Sequence, residues 1–263
     1  MATQQEQVVS LQGKVCVVTG ASSGIGAGTA IHFAGLGARL TLNGRNQEKL
    51  QETAQRCEEI SGLKPLLVPG DLTDEKVVQK IVEETVGHFE QMDVLVNCGG
   101  ILVKGTVENT TLEDYDHVMN TNLRSLFYMS HLAVPHLIKT KGNIVNVSSL
   151  LSQRTVPGCV AYCTSKSAVD HMTRSAAREL GSKQVRVNAV CPGVIVTEVH
   201  KRAGMSEEQY QEFLKHTKEM NAVGRPGTVE EVARTIAFLA SDAASFITGV
   251  ALLVDGGQHI MCP

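Results

Sequence analysis

Apolar positions along this chain recur in two alternating rhythms. Short runs rich in β-branched residues alternate with longer stretches whose apolar positions return every three or four residues. Lys14–Thr19, Arg39–Asn43, Pro65–Val68, Val94–Val96, Asn143–Val147, Val185–Val190 and Ala251–Val254 read as strands. A helical pattern follows the first strand as far as Gly37. Gln47–Ile60, Glu75–Phe89, Leu112–Ile138, Val160–Leu180 and Val229–Ala240 give further helices, the Leu112–Ile138 one interrupted near Asn120-Thr121-Asn122. Strands alternating with helices of this length imply an α/β domain with a parallel, doubly wound sheet. No linker, repeat or low-complexity segment divides residues 1–263, so a single domain is expected. Right-handed crossovers then place a ligand crevice at the carboxyl ends of the strands, around the reversal of strand order.

Polar and glycine-rich signals gather at those strand ends. After the first strand stands Gly20-Ala21-Ser22-Ser23-Gly24-Ile25-Gly26, then a helix. Glycines at such a junction let the backbone turn tightly and approach a pyrophosphate, while the amides of the helix start point at the anion. A merely tight turn between strand and helix is the plain alternative. Asn43-Gly44-Arg45 follows the second strand, Asp71 the third, Asn97–Gly100 the fourth, Ser148-Ser149 the fifth and Pro192-Gly193 the sixth. Tyr162 and Lys166, four apart on the Val160–Leu180 helix, share one face. A free phenol titrates near 10, too high for acid–base work at neutrality, and a neighbouring ammonium favours the phenolate. Tyr-x-x-x-Lys is also a common accident, and gains weight here from the company it keeps.

Bulk properties narrow the class. Hydrophobic residues make up 43% and charged residues 19% of 263 positions, a globular composition large enough to form a core without staples. A net charge of −3 argues against a nucleic-acid or anionic-membrane partner. Seven scattered cysteines without a C-x-x-C pair suit reduced thiols in a cytoplasmic protein. Cys159 and Cys163 flank Tyr162, as thiol-sensitive groups or as small buried hydrophobes. Met1–Ser10 carries no apolar or arginine-rich signal, and no apolar run approaches a membrane span. The nine histidines show no paired ligand spacing, so no metal site is expected.

Taken together, these motifs resemble the short-chain dehydrogenase/reductase family over nearly the whole chain. T-G-x-x-x-G-x-G stands as Thr19–Gly26, Y-x-x-x-K as Tyr162 and Lys166, and a serine, Ser149, precedes Tyr162 by thirteen positions. N-N-A-G stands as Asn97-Cys98-Gly99-Gly100, departing at two positions but keeping small residues. Pro192-Gly193 with Thr197, and Val254-Asp255-Gly256-Gly257, match later family segments. The resemblance implies a Rossmann-type sheet of about seven strands in the order 3-2-1-4-5-6-7. It implies hydride transfer between a nicotinamide and a carbonyl or secondary alcohol, with Tyr162 as general acid and base. Lys166 would hold the ribose hydroxyls and depress the tyrosine pKa, Ser149 would bond the substrate oxygen, and Asn122 would hold a relay water. Ser148 is the rival for the serine role, on the opposite face of the strand. The cofactor would lie along Gly20, Ser23, Gly24, Ile25, Gly26, Arg45, Asp71, Leu72, Asn97, Gly99, Pro192, Gly193, Ile195 and Thr197, with Asp71 receiving the adenine amino group unless it is a helix cap.

Between Gly26 and Glu48 there is no carboxylate to accept from a ribose 2′-hydroxyl. Arg45 offers a guanidinium suited to a 2′-phosphate, so NADP(H) is expected over NAD(H). Against this, Arg45 has a plainer reading as a solvated helix-start residue, and Ser23 stands where many NADP-using relatives carry a second basic group. A loop at about 198–223 should cover the substrate, with Met205, Tyr210 and Phe213 lending apolar surface. Leu150, Leu151, Val156 and Cys159 would form the opposite wall, for a neutral and fairly lipophilic carbonyl or alcohol. A 3-oxoacyl-carrier-protein reductase is the second reading, with Lys139, Lys141 and Lys183 as its landing patch. A non-catalytic cofactor-binding scaffold is the third. By resemblance a homotetramer is expected, through the Leu112–Ile138 and Val160–Leu180 helices and the C-terminal strand. Gln258–Pro263 would either reach a neighbouring subunit or fray.

Overall fold

The computed structural model describes residues 9–261. The stretch read as signal-free, Met1–Ser10, lies mostly outside them, as do Cys262 and Pro263. Seven strands, β1 (Val15–Val18), β2 (Arg39–Leu42), β3 (Leu66–Leu67), β4 (Val94–Asn97), β5 (Asn143–Val147), β6 (Arg186–Pro192) and β7 (Ala251–Val254), form one sheet in the order β3-β2-β1-β4-β5-β6-β7. Every neighbouring pair is parallel. The order reverses between β1 and β4, which opens a crevice at their carboxyl ends.

Residues of one strand alternate between two cores. Cys16, Val18, Leu42, Val94, Val96 and Val145 pack with Phe33, Leu50 and Ile236 from helices α1 (Gly24–Gly35), α2 (Gln47–Ser61) and α9 (Val229–Ala240). Val17, Leu95, Ile144 and Val187 point the other way, onto Ile81, Met129 and Ala177 from α3 (Glu75–Phe89), α5 (Ser125–Thr140) and α6 (Val160–Leu180). Burial on both faces explains why the central strands read as continuous apolar runs.

Several boundaries differ from expectation. β3 contracts to two residues because it is an edge strand entered through Pro65, which has no N–H to donate. β6 runs on to Pro192, where β7 pairs with it. The interrupted helix is α4 (Leu112–Met119) joined to α5 by a π-helical turn, Asn120–Arg124. The presumed loop over the site is itself helical, as α7 (Val199–Arg202) and α8 (Glu207–Met220). Ser206 and Gln209 form a reciprocal capping box at the start of α8, with Glu207 and Glu208 in its first turn. No described helix is long and apolar enough to cross a membrane.

Candidate active site

One groove of about 420 Å³ runs along the carboxyl ends of the strands. Its nucleotide-side wall is mostly main chain. Gly20 and Gly24 have φ of +67° and +55°, which L side chains avoid. A Cβ on Gly26 would stand 2.3 Å from the Gly20 carbonyl oxygen, and one on Gly20 would stand 3.0 Å from the Gly99 amide nitrogen. Only glycine lets these segments meet. Thr19 stitches them together: its Oγ1 accepts from the amides of Cys98 and Gly99, at 3.0 and 3.2 Å, and donates to the Val96 carbonyl. Asn43 does the same for the next turn, donating through Nδ2 to the carbonyls of Val68 and Gly70. Thr19 belongs to the glycine-rich motif and Asn43 to the turn that carries Arg45, and nothing in their spacing signals these bracing roles.

Ser23, Gly24, Ile25, Arg45, Asp71, Leu72, Gly99, Pro192, Gly193, Ile195 and Thr197 also line this groove. Asp71 is not the cap of α3; Asp74 is. The Asp71 carboxylate accepts from the amide and hydroxyl of Thr73 and lies 3.6 Å from Arg45. Partial burial works to raise its pKa, but the Thr73 bonds and then Arg45 outweigh it, and the carboxyl sits below its usual value. Asn97 is a correction: it does not face the groove. Its Nδ2 donates to Ser130 Oγ and Asn146 Oδ1 in the buried layer behind, so it braces the wall.

On the other side, α6 brings Tyr162 and Lys166 together, with Lys166 Nζ 5.7 Å from the centre of the tyrosine ring. Lys166 is almost wholly buried and its ammonium donates to the Val147 carbonyl at 2.9 Å. Burial brings its pKa down to about 8, with Cys98, Cys191 and Asp170 opposing. Burial likewise pushes the Tyr162 phenol up to about 12, with Ser149 pulling it back. The expected depression of the phenol by Lys166 is therefore absent in this geometry; the ammonium is turned to a carbonyl, and desolvation dominates.

Ser149 heads a short 3-10 turn and accepts from the Leu151 amide at 3.1 Å, which fixes its hydroxyl beside Tyr162. Ser148 bonds instead to the Lys166 carbonyl. Ser152 holds the turn down by donating to buried Asp170 at 2.6 Å. Asn122 lies on the π-helical turn, behind the groove. Its Oδ1 accepts from the Ile101 amide, and its Nδ2 donates to the Ile101 carbonyl and to Ser165. Both amide hydrogens are thus engaged and Oδ1 keeps one acceptor site, while the π turn frees backbone that could also hold a water. A Cβ on Gly100 would lie 3.3 Å from Asn122 Oδ1 and 3.5 Å from Lys166 Nζ, so glycine keeps that junction open.

At the substrate end, Leu150, Leu151, Val156 and Cys159 face Met205 and Phe213. Tyr210 is a second correction: it is buried outside this groove, and its hydroxyl donates to the Thr197 carbonyl and accepts from the Thr197 amide. Lys104 and His200 join the wall unforeseen. Burial, then Lys104, holds His200 below its ordinary pKa, which favours its neutral form.

The family model described as enoyl-(acyl carrier protein) reductase matches residues 20–259, which include all these elements except β1. The chain is a short-chain dehydrogenase/reductase. It is similar to a 3-oxoacyl-[acyl-carrier-protein] reductase of Thermotoga maritima, 38% identical over 95% of this chain and 99% of that one. A meso-2,3-butanediol dehydrogenase of Serratia marcescens is 36% identical over 93% and 94%. A Caenorhabditis elegans short-chain dehydrogenase/reductase, whose structure was solved with cofactor, superimposes with a TM-score of 0.92 at 34% identity, over 96% of this chain and 97% of that one. As a short-chain dehydrogenase/reductase the protein is an oxidoreductase that uses a nicotinamide cofactor, the group that gives or takes the hydride when bound. The glycine cradle fits such a dinucleotide, because a Cβ at Gly20 or Gly26 would meet backbone where the chain must leave room for a pyrophosphate.

Proposed function

We propose that the protein is an NADP(H)-preferring carbonyl reductase or alcohol dehydrogenase for small, fairly lipophilic substrates. The observation that carries this reading is that Ser149, Tyr162 and Lys166 share one groove with the glycine cradle. In the reductive direction Tyr162 gives its hydroxyl proton to the carbonyl oxygen, and Ser149 donates a hydrogen bond to that oxygen as charge develops on it. Lys166, here on the Val147 carbonyl, would hold the ribose hydroxyls of a bound cofactor, and its ammonium would then favour the phenolate. Asn122 serves through the backbone of its π turn, its side chain tying that turn to Ile101. The cradle, Arg45, Asp71, Leu72, Pro192, Gly193, Ile195 and Thr197 hold the cofactor. α7 and α8, within 198–223, cover the substrate.

The mostly apolar wall supports a lipophilic substrate, and Arg45, with no carboxylate on its own turn and Asp71 at 3.6 Å from the next, supports NADP(H). The carrier-protein reading draws on the Thermotoga relative. Its landing patch counts against it: Lys139 and Lys141 precede β5 and Lys183 precedes β6, at the amino ends of the strands and so opposite the groove. Exposed Phe127 on α5, and Phe246 and Ile260 flanking the edge strand β7, support a homotetramer built on those two faces.

Tyr162→Phe tests the reading. Turnover of a ketone panel with NADPH and NADH should fall by about 10²-fold or more, while the cofactor Kd stays within twofold. Retained turnover in the variant removes Tyr162 as the acid and base, and cofactor binding without any turnover in the wild type would leave a cofactor-binding scaffold.

A further inference from the structure

Ser23 heads α1 and lines the nucleotide end of the groove, next to the turn that follows β2. A Cβ on Gly44 would stand 2.8 Å from the Ser22 side chain, so the two turns are in contact. Two guanidinium groups reach this corner. Arg45 belongs to it by sequence and shares its charge with Asp71 at 3.6 Å. The other arrives from across the groove: Arg202, the last residue of α7, donates through Nη2 to Ser23 Oγ at 2.9 Å, over a separation of 179 residues. Arg202 lines the groove and is solvent-exposed, and among the described residues it has no carboxylate within ion-pair distance. A cation without an anion here stands beside the positive end of a helix, where an acidic group is the favoured neighbour.

We propose that Arg202 is a specificity-determining residue for the 2′-phosphate of NADP(H), supplying from the lid the second basic group that Ser23 does not provide. This rests on the NADP(H) reading above. Arg45 and Arg202 would grip the phosphate from opposite walls, and each is able to present two N–H donors to its oxygens. Because Arg202 sits on the lid, 2′-phosphate binding would also draw α7 onto the cradle. NADPH would then order the substrate cover and NADH would not.

Equilibrium titration of nicotinamide fluorescence with NADPH and with NADH tests this on the wild type, Arg202→Ala and Arg202→Lys. Arg202 is exposed, so an unchanged thermal midpoint is expected and verifies folding. Arg202→Ala should weaken NADPH by about tenfold or more and leave NADH within twofold, with the lysine variant between. Equal losses for both cofactors would show a pyrophosphate or general lid effect and overturn the assignment, as would no loss for either. A wild type that binds NADH more tightly than NADPH overturns the cofactor reading itself. A wild type that prefers NADPH, with that preference intact in Arg202→Ala, removes only Arg202.

Discussion

At the nucleotide end of the groove the wall is main chain, and at the substrate end it is side chain. Gly20 and Gly26 let backbone meet backbone, Gly24 takes a turn with φ of +55°, and Thr19 and Asn43 fasten the turns by bonding amides and carbonyls. Leu151, Val156, Cys159, Met205 and Phe213 form the other end through rotamers, on a 3-10 turn, the loop leading into α6, the link before α8 and α8 itself. Main-chain recognition suits a ligand whose phosphates never change. A side-chain wall can be re-cut for a new substrate without disturbing the sheet, which fits a family whose members above act on a carrier-bound acid and on a butanediol.

The sharpest way to break this contrast is to put one methyl group into the cradle. In Gly26→Ala the new Cβ would meet the Gly20 carbonyl oxygen at 2.3 Å and its carbon at 2.7 Å, and backbone has no rotamer to escape into. The expected cost is about 3 kcal/mol, the upper part of the overpacking range, together with loss of measurable cofactor binding. Urea unfolding and cofactor titration check it. An alanine variant that folds and binds normally would show that the turn is looser than its geometry.

A second effect crosses between the two ends, through Lys166. Its pKa is near 10.5 in the unfolded chain and about 8 in the fold, chiefly because of burial. Between those values the unfolded chain holds one more proton than the folded chain, so stability rises with pH. From pH 7.5 to 9.5 the cofactor-free wild type should gain about 2 kcal/mol relative to Lys166→Met, measured by urea unfolding of both at each pH. A parallel pair of curves would mean that the ammonium is well solvated. Tyr162 acts oppositely, but only above pH 10, because its folded pKa lies above the unfolded value.

How far each end could be read from residues alone follows the same division. Strands buried on both faces announce themselves as apolar runs, and the cradle needs glycines at fixed spacing, so strand and turn positions were legible, while the sheet order came from the family resemblance. What side chains do across the fold was not. Asn97 follows three buried strand residues, and nothing local says that its amide reaches Ser130 and Asn146 behind the wall. Tyr210 reads as one apolar surface among several until its hydroxyl is found on Thr197. Arg202 carries no periodic or motif signal that would join it to Ser23. Even the departure at Gly99 has a three-dimensional reason: a Cβ there would lie 2.6 Å from Leu72 Cδ1, so a smaller residue at one position accompanies a leucine at another.

The gentlest probe is Tyr210→Phe, which alters the substrate cover without touching sheet or cradle. Its hydroxyl makes two bonds to the backbone of Thr197, at 2.9 and 3.2 Å, and the ring is 3% exposed. Removing the oxygen leaves the Thr197 amide and carbonyl without that partner, worth about 1–2 kcal/mol locally. Because α7 and α8 pack on the rest through few such ties, the loss should appear as opening of the cover rather than as global unfolding. Substrate KM should rise about fivefold with kcat within twofold, and proteolysis within 198–223 should quicken, while the urea midpoint holds. A midpoint that falls with KM unchanged would mean that Tyr210 belongs to the core and that the two ends of the groove are less separate than their construction implies.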